Sequence, residues 1–215
     1  MKPLVIVLAK DPLPGRVKTR LGAFIGNSAA AEIYRAMLTD LLEMWMQREW
    51  PWDVEIHVDR QSSFFEGFPF TRFPQVGTDL GEKLYHCLSD GLERGASAVT
   101  VIGSDSPALC ADWVAKLGEC DADVALGPTE DGGYWGIRAV KTAPAMFRNV
   151  RWSTDTALAD TVNAAREAGL STACGPMGWD VDTETDLARL IRSGCAGPHT
   201  AVALAAWRES EERRR

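Results

Sequence analysis

The sequence predicts an α/β protein whose helices cover a mainly parallel central sheet. Short runs of β-branched or aliphatic residues alternate with longer segments of helical periodicity, which is typical of strands joined by crossover helices. The chain has 215 residues, and a chain of this size can bury about 70% of its extended surface in one core. Its composition, 46% hydrophobic and 25% charged, is that of an ordinary globular protein. We therefore predict a single domain over residues 1–215.

Five short segments have the character of buried strands, because β-branched or aliphatic residues dominate them. In chain order they are residues 4–9, 54–58, 98–102, 124–126 and 134–140. Their spacing leaves room for a helix after most of them, as parallel strands require.

Between the strands, apolar residues recur at intervals of three and four, as one buried helix face requires. The two clearest series are Ile33, Met37, Leu41, Met44, Trp45 and Leu80, Leu84, Cys87, Leu88, Leu92. Later helices are expected over 154–168, with Ser153 or Thr154 as N-cap, and over 184–193, with Asp182 or Thr183 as N-cap. Residues from about 200 to 215 should form a frayed tail or helix with solvated charges.

Charge is distributed unevenly along the chain. The 30 acidic and 23 basic residues give a net charge of −7, which argues against a nucleic-acid partner. Residues 2–31 nevertheless carry five basic residues and one acidic residue, a local charge of +4. The apolar run 4–9 is too short for a signal sequence, and no run approaches the roughly 20 residues of a membrane span. We expect a cytoplasmic protein that binds neither membranes nor nucleic acid.

The five cysteines are widely spaced and include no CxxC pair. This pattern indicates neither a disulfide framework nor a zinc site. We expect reduced and mostly buried thiols.

The most informative segment follows the first strand. Residues 9–21, AKDPLPGRVKTRL, combine two prolines and one glycine with four cations, Lys10, Arg16, Lys18 and Arg20. Prolines stiffen a loop, Gly15 permits a close backbone approach, and cations neutralise phosphates. The segment is not a P-loop, because it lacks the second glycine and the Gly-Lys-Ser/Thr end of that motif. It is either a phosphate-binding loop or a solvated basic turn.

Two aspartates are candidate metal ligands. Asp105 follows the strand 98–102 in GSDSP, at the sheet edge where α/β proteins bind ligands. Asp182 lies in DVDTETDL, where three aspartates crowd the start of a predicted helix. With three histidines and no paired cysteines, a metal here should be hard and oxygen-ligated, Mg²⁺ or Mn²⁺. A turn that begins a helix at Asp105 and a helix cap at Asp182 are the structural alternatives.

Two glycine-containing loops complete the candidate segments. GTDLGE (77–82) precedes a predicted helix, and GPTEDGGYW (127–135) joins two predicted strands. Taken singly, the first is an ordinary loop and the second a β-turn.

Together these segments resemble the DUF2064-type family of small bacterial transferases known as radical-SAM/selenodomain-associated transferase 1. The resemblance covers nearly the whole chain and is carried, in order, by AKDPLPGRVKTRL, GTDLGEKL, VIGSDSP, GPTEDGGYWGI, WST and DVDTETDL. One departure is Gly136-Ile137-Arg138, where the family more often has Leu-Ile-Gly. The family looks like a branch of the nucleotide-diphospho-sugar transferases, which have a Rossmann-like GT-A fold, a three-layer sandwich. Its first loop is similar to that of 2-phospholactate guanylyltransferases.

This resemblance implies a role for each candidate residue. Lys18, Arg20 and Asp105 would be catalytic, and Asp105 and Asp182 would hold Mg²⁺ or Mn²⁺. The implied nucleotide-binding residues are Lys10, Gly15, Arg16, Lys18, Thr19, Arg20, Gly77, Asp79 and Gly81. The implied acceptor-binding residues are Asp131, Gly132, Gly133, Tyr134 and Trp152.

The leading functional hypothesis is a Mg²⁺-dependent nucleotidyltransferase that joins a nucleoside triphosphate to a small phosphorylated acceptor and releases pyrophosphate. A glycosyltransferase that uses a sugar nucleotide would need the same parts. A non-catalytic nucleotide-binding protein is the third alternative. The expected partners are thus a nucleotide or sugar nucleotide and a small-molecule acceptor, and no oligomeric state follows from the sequence.

Overall fold

A computed structural model describes residues 1–47 and 49–214, and within them seven strands form one sheet. The strands are β1 (Leu4–Ala9), β2 (Asp53–Val58), β3 (Thr71–Pro74), β4 (Val99–Ile102), β5 (Val124–Pro128), β6 (Tyr134–Ala139) and β7 (Thr172–Cys174). Their spatial order is β3-β2-β1-β4-β6-β5-β7. Neighbouring strands are parallel except at β6, which runs antiparallel to both β4 and β5. The predicted α/β class and the mainly parallel sheet are confirmed.

Helices pack on both faces of this sheet. They are α1 (Thr19–Ile25), α2 (Asn27–Met46), α3 (Leu80–Glu93), α4 (Ala111–Gly118), α5 (Ala157–Glu167), α6 (Glu184–Ser193) and α7 (Pro198–Arg214). Short 3₁₀ helices occur at Ser63–Gly67 and Pro144–Phe147. None of the helices in the described parts of the chain combines the length and apolar character that a membrane crossing requires.

The side chains of strand β1 alternate between the two faces of the sheet and pack against helices on both sides. Val5 and Val7 belong to the hydrophobic cluster that α2 and α4 cover, whereas Leu4 and Ile6 belong to the cluster under α3 and α5. A strand buried on both faces is apolar throughout rather than alternating, which accounts for the sequence LVIVLA. A third cluster joins α1, α2, α6 and α7 beside the sandwich. The predicted three-layer sandwich is therefore confirmed.

The five predicted strands all form, with bounds that differ by at most two residues. The apolar series of the sequence lie in α2 and α3, and α6 begins after Thr183 as predicted. Thr183 is the N-cap, and its hydroxyl and the Asp186 carboxylate form a capping box. Helices α1 and α4 and the edge strands β3 and β7 were not predicted.

One helix prediction is wrong in its bounds. Helix α5 begins at Ala157, not near residue 154, and its N-cap is Thr156, whose carbonyl oxygen accepts the first helical hydrogen bond from the Asp160 N–H at 2.8 Å. Ser153 cannot be the cap, because its left-handed φ of 61° lies outside the helical path.

Of the two alternatives for the C-terminal segment, a frayed tail or a helix, the described residues form the helix, as part of the 17-residue α7; residue 215 lies outside the described residues. This helix packs on α2, and its Leu204 side chain is buried.

The expectation of mostly buried thiols is also wrong. Among the cysteines, all of which the structure describes, only Cys87 is buried, and no disulfide joins any two of them. Cys174 lies on edge strand β7 and Cys195 follows α6, so both thiols reach solvent.

Candidate active site

A cavity of about 820 Å³ opens at the edge of the sheet where β1 and β4 end. Five segments line most of it: the loop after β1, the loop after β4, the first turn of α3, the loop between β5 and β6, and the segment before α5. Open α/β sheets bind ligands at this edge. The volume is in the range of small-molecule sites.

The loop after β1 forms a cationic wall of this cavity. The predicted residues on the wall are Lys10, Arg16, Lys18, Thr19 and Arg20. Backbone hydrogen bonds within residues 11–16 close the turn that presents them. The described lining does not include Gly15, whose left-handed φ of 75° serves the turn itself.

Asp105 and Asp182 come together at the cavity, although 77 positions of sequence numbering separate them. Asp105 follows β4 and Asp182 precedes α6, and the Val181 N–H donates to the Asp105 carbonyl oxygen at 3.1 Å. Both side chains are about half exposed, 48% and 45%. The two carboxylates therefore reach solvent from adjacent loops.

The ammonium of Lys18 lies between these two carboxylates. Lys18 Nζ contacts Asp105 Oδ1 and lies 3.0 Å from Asp182 Oδ1. Burial lowers the pKa of Lys18, but the two carboxylates outweigh burial and raise it above its ordinary value. Burial alone would raise the pKa of Asp182. The neighbouring ammonium of Lys18 has the larger effect, so the pKa of Asp182 is lowered. Sequence reasoning placed all three residues in one site but did not predict this contact.

A third carboxylate, Asp180, lies beside the pair. It accepts a hydrogen bond from the Ser106 hydroxyl, and burial raises its pKa to about 6. Behind this group, the Tyr34 hydroxyl is 2.8 Å from Ser104 Oγ. Burial, followed by the charge of Asp105, raises the pKa of Tyr34 to about 12. The three aspartates in DVDTETDL were a signal that could have drawn attention to Asp180.

The segment before α3 reaches the cavity through Thr78 and Asp79, and the first turn of α3 through Leu80 and Lys83. Asp79 is also the N-cap of α3, since its carboxylate accepts from the Glu82 N–H at 2.8 Å. This hydrogen bond engages one of the two carboxylate oxygens of Asp79.

Gly77 and Gly81, which belong to the same segment, are not among the described residues that line the cavity. A Cβ at Gly81 would lie 3.0 Å from the Trp152 ring, so this glycine lets α3 approach that ring. A Cβ at Gly77 would lie 2.7 Å from the Lys83 backbone nitrogen. Both glycines therefore have a packing function in this structure.

The predicted acceptor side forms another wall of the cavity. Asp131, Gly133, Tyr134 and Trp152 line it, as does Asp155. The described lining does not include Gly132, because its left-handed turn (φ 85°) lies against the segment before α5. There the Gly132 carbonyl accepts from the Leu158 N–H at 2.9 Å, and a Cβ would overlap the Asp155 carbonyl.

The family resemblance places the whole segment 77–82 beside the nucleotide base, so the lining residues Thr78 and Leu80 were expected. Further lining residues were not assigned to the site from the sequence, among them Gln75, Lys83, Ser153, Thr154, Asp155 and Asp180. Most of these lie within the motifs that carry the family resemblance. The side chain of Gln75 is fixed by two hydrogen bonds, because its Nε2 donates to the Ala9 and His57 carbonyl oxygens at 2.8 and 3.1 Å.

The donor set fits one hard cation. Asp105 and Asp182 supply carboxylate oxygens that reach solvent, and Mg²⁺ is bound by one or two carboxylates together with substrate phosphates. Within the described residues, no group of three or more histidine, cysteine, aspartate or glutamate side chains is arranged to hold a metal. A metal held by these two carboxylates would complete its coordination with oxygens of water or of a bound phosphate.

The sheet order and the position of the cavity are those of a GT-A-like fold, the fold class of the nucleotide-diphospho-sugar transferases. More particularly, the chain belongs to the family DUF2064, described as uncharacterized protein conserved in bacteria, whose model matches residues 42–154. The recognition of this family from sequence motifs is confirmed.

The chain is similar to solved structures over almost its whole length. One is a Desulfovibrio desulfuricans G20 protein with the provisional description nucleotide-diphospho-sugar transferase; the two are 30% identical, with a TM-score of 0.84 over 98% of this chain and 95% of that one. A cytidylyltransferase from Leptospira borgpetersenii serovar Hardjo-bovis shares the fold at 10% identity and a TM-score of 0.56, over 99% and 96% of the two chains. The inositol-1-phosphate CTP transferase from T. maritima does so at 12% identity and a TM-score of 0.51, over 96% of each chain. No curated protein matches the sequence.

Proposed function

We propose that this protein is a nucleotide-using transferase, and specifically a metal-dependent nucleotidyltransferase that joins a nucleoside triphosphate to a small phosphorylated acceptor. The observation that carries the proposal is the meeting of four cations with Asp105 and Asp182 in one cavity. Cations suit a triphosphate, and two carboxylates suit one divalent metal. The relatives support the broader class, since a protein provisionally described as a nucleotide-diphospho-sugar transferase, a cytidylyltransferase and a CTP transferase are among the proteins with this fold.

In the proposed reaction, an oxygen of the acceptor phosphate attacks the α-phosphorus of the triphosphate. The bond from the α-phosphorus to the oxygen that bridges to the β-phosphate breaks, and pyrophosphate leaves with that electron pair. Since the attacking oxygen is already an anion, the step needs no general base. Lys18 and Arg20 would stabilise the charge on the leaving pyrophosphate, and Lys10 and Arg16 would hold the phosphates in position.

We further propose that Asp105 and Asp182 hold Mg²⁺ or Mn²⁺. When bound, the ion supplies charge neutralisation at the reacting phosphates. The half-exposed carboxylates at the mouth of the cavity support this assignment. The acceptor would lie against the wall formed by Asp131, Tyr134 and Trp152.

The acceptor wall also favours a second candidate, a glycosyltransferase that uses a sugar nucleotide. Asp131 and Asp155 offer acceptors for hydroxyl groups, and Trp152 offers an apolar face for a sugar ring. The described residues of this wall include no cation. The two reactions differ in what leaves, which is pyrophosphate in one and a nucleoside diphosphate in the other.

A product-release assay across nucleoside triphosphates and sugar nucleotides, with Mg²⁺ or Mn²⁺, distinguishes the candidates. A ligand present at a hundred times its dissociation constant adds about 2.7 kcal/mol to the unfolding free energy, so binding is visible as a rise in melting temperature. Pyrophosphate release supports the nucleotidyltransferase, and nucleoside diphosphate release supports the glycosyltransferase. Binding without turnover indicates a nucleotide-binding protein. A melting temperature that no nucleotide or sugar nucleotide raises would contradict all three.

Asp105→Asn tests the metal ligand. The substitution keeps the shape of the side chain but removes its charge, so we expect turnover to fall by about a hundredfold or more while the fold is retained. Asp112→Asn is the matched control, because Asp112 is an exposed residue of α4 outside the described lining of the cavity. Unchanged turnover in Asp105→Asn would refute the assignment.

A further inference from the structure

Lys18 is placed unlike the other cations of the loop after β1. Its side chain is only 3% exposed, whereas Lys10, Arg16 and Arg20 are exposed residues. Its backbone is left-handed (φ 46°, ψ 45°), which residues other than glycine seldom adopt. Such a conformation persists where the surrounding structure determines it. The contacts of Lys18 therefore fix its position.

Those contacts are made with the proposed metal ligands. Lys18 Nζ contacts one oxygen of Asp105 and lies 3.0 Å from one oxygen of Asp182. The Tyr34 ring centroid lies 5.9 Å from the same nitrogen, within the range of a cation–π contact. An ammonium in this position occupies the space between the two carboxylates, which a bridging divalent cation would also need.

We propose that Lys18 is an internal counter-ion that keeps a divalent metal from Asp105 and Asp182 until a nucleotide binds. The inference rests on the proposed function, because it takes these two carboxylates as the metal ligands. It adds an order of events, in which the metal enters together with the nucleotide and is not resident beforehand.

The charges of the site explain this order. The site holds three carboxylates, those of Asp105, Asp180 and Asp182, and the Lys18 ammonium, which sum to −2. The nearby positive charges of Lys10 and Arg20 bring the sum to zero, and a divalent ion would raise it to +2. Adding a cation to a partly buried site that is already nearly neutral is unfavourable. The phosphates of a nucleotide bring several negative charges, so the metal and the ammonium can then remain together. Lys18 would exchange a carboxylate for a phosphate oxygen at that point.

The test is Mn²⁺ affinity in the nucleotide-free protein, measured by electron paramagnetic resonance of free Mn²⁺. The wild type is compared with Lys18→Gln and Lys18→Met, which are neutral, and with Lys18→Arg, which keeps the charge. We expect the neutral variants to bind Mn²⁺ at least about tenfold more tightly than the wild type. Lys18→Arg should bind as weakly as the wild type. Lys116→Met is the matched control for charge, and its affinity should stay within about threefold of the wild type, since Lys116 is an exposed residue of α4 outside the described lining of the cavity.

Equal Mn²⁺ affinity in the wild type and the neutral variants would overturn the inference. In that case metal-dependent turnover by the same wild-type preparation would show that the proposed function still holds. Tighter Mn²⁺ binding by the neutral variants without turnover on any nucleotide would have the opposite meaning, supporting the counter-ion and refuting the transferase.

A second measurement covers the case in which Lys18→Met folds poorly. Lys18→Gln retains donors for both carboxylates, and Mn²⁺ should raise its melting temperature by more than it raises that of the wild type. An equal rise in the two proteins overturns the inference.

Discussion

Lys18 and Asp182 are separated by 164 positions in the sequence, yet their side chains are in contact. Three local structures bring the central residues of the site together: the turn after β1, the end of β4 and the approach to α6. The motifs in the sequence identified these three segments because each lies where a strand ends or a helix begins. The ion pair itself could not be predicted, because it depends on the relative position of segments that only the folded chain brings close. The roles assigned to these residues in catalysis stay predictions.

His57 is a buried residue whose titration should affect stability. It is 2% exposed, its Nδ1 lies 3.4 Å from Cys87 Sγ, and its Nε2 has no hydrogen-bond partner among the described residues. Burial lowers the pKa of His57, and Arg94 acts in the same direction, although Glu55 opposes them. The neutral imidazole is therefore favoured in the folded protein.

His57→Phe tests this effect through the pH dependence of unfolding. Below about pH 6.5, the ordinary pKa of histidine, the unfolded chain binds a proton that native His57 resists. The wild type should therefore lose unfolding free energy relative to His57→Phe between pH 7.5 and pH 5.5 in urea titrations. His86→Phe, at an exposed position on α3, is the control and should show no such relative change. A difference between His57→Phe and the wild type that is constant over this range would contradict the prediction.

At the scale of elements, α7 illustrates how a distant residue can set the start of a helix. Asp40 of α2 accepts from the His199 and Thr200 N–H groups, each at 2.9 Å, and from the Thr200 hydroxyl at 2.6 Å. The first N–H groups of a helix lack partners within it, so this carboxylate acts as an N-cap supplied by another helix. The sequence near residue 198 contains no sign of it.

Asp40→Ala should therefore destabilise the protein by about 1–2 kcal/mol in unfolding free energy, the upper part of the range for a lost cap. Equilibrium urea unfolding measures the change. Glu43→Ala is the matched control one turn along α2, because the Glu43 carboxylate pairs with α7 through the half-exposed His199 side chain, at 3.0 Å. An exposed pair of this kind contributes at most about 1 kcal/mol, so the control should lose less. Equal losses in the two variants would show that the cap has no special importance.

The elements also show which parts of the fold the sequence can predict. β1 and α2 were predicted because burial imposes a pattern over six residues or more. β3 and β7 have four and three residues, and their side chains are mostly intermediate or exposed, so no apolar pattern marks them. The antiparallel pairing of β6 with β5 follows from the loop 129–133, which is too short for the crossover that a parallel pair needs, and not from the strand's composition.

At the scale of the whole molecule, the three hydrophobic clusters share elements. α2 contributes to the cluster on one face of the sheet and to the cluster with α1, α6 and α7, while β1 contributes to both faces. Unfolding of one cluster therefore removes elements that another cluster also needs. A single folding unit over the chain, as predicted from its length, agrees with this arrangement and stays a prediction.

Equilibrium unfolding should accordingly show one transition. The eight tryptophans are distributed over all three clusters, as shown by Trp45, Trp152 and Trp179. Tryptophan fluorescence thus reports on each cluster, and far-ultraviolet circular dichroism reports on the helices of every layer. The two signals should give the same midpoint in urea within experimental error. Separate midpoints would indicate two folding units.

The uneven distribution of charge has a consequence for how a ligand finds the cavity. The chain carries a net charge of −7, whereas the loop after β1 places four cations on one wall of the cavity, and this separation of charge gives the molecule an electric dipole moment. An approaching polyanion is repelled from most orientations and turned toward that wall before contact, so a larger share of diffusional encounters is productive. The loop after β1 therefore influences the association rate as well as the bound complex.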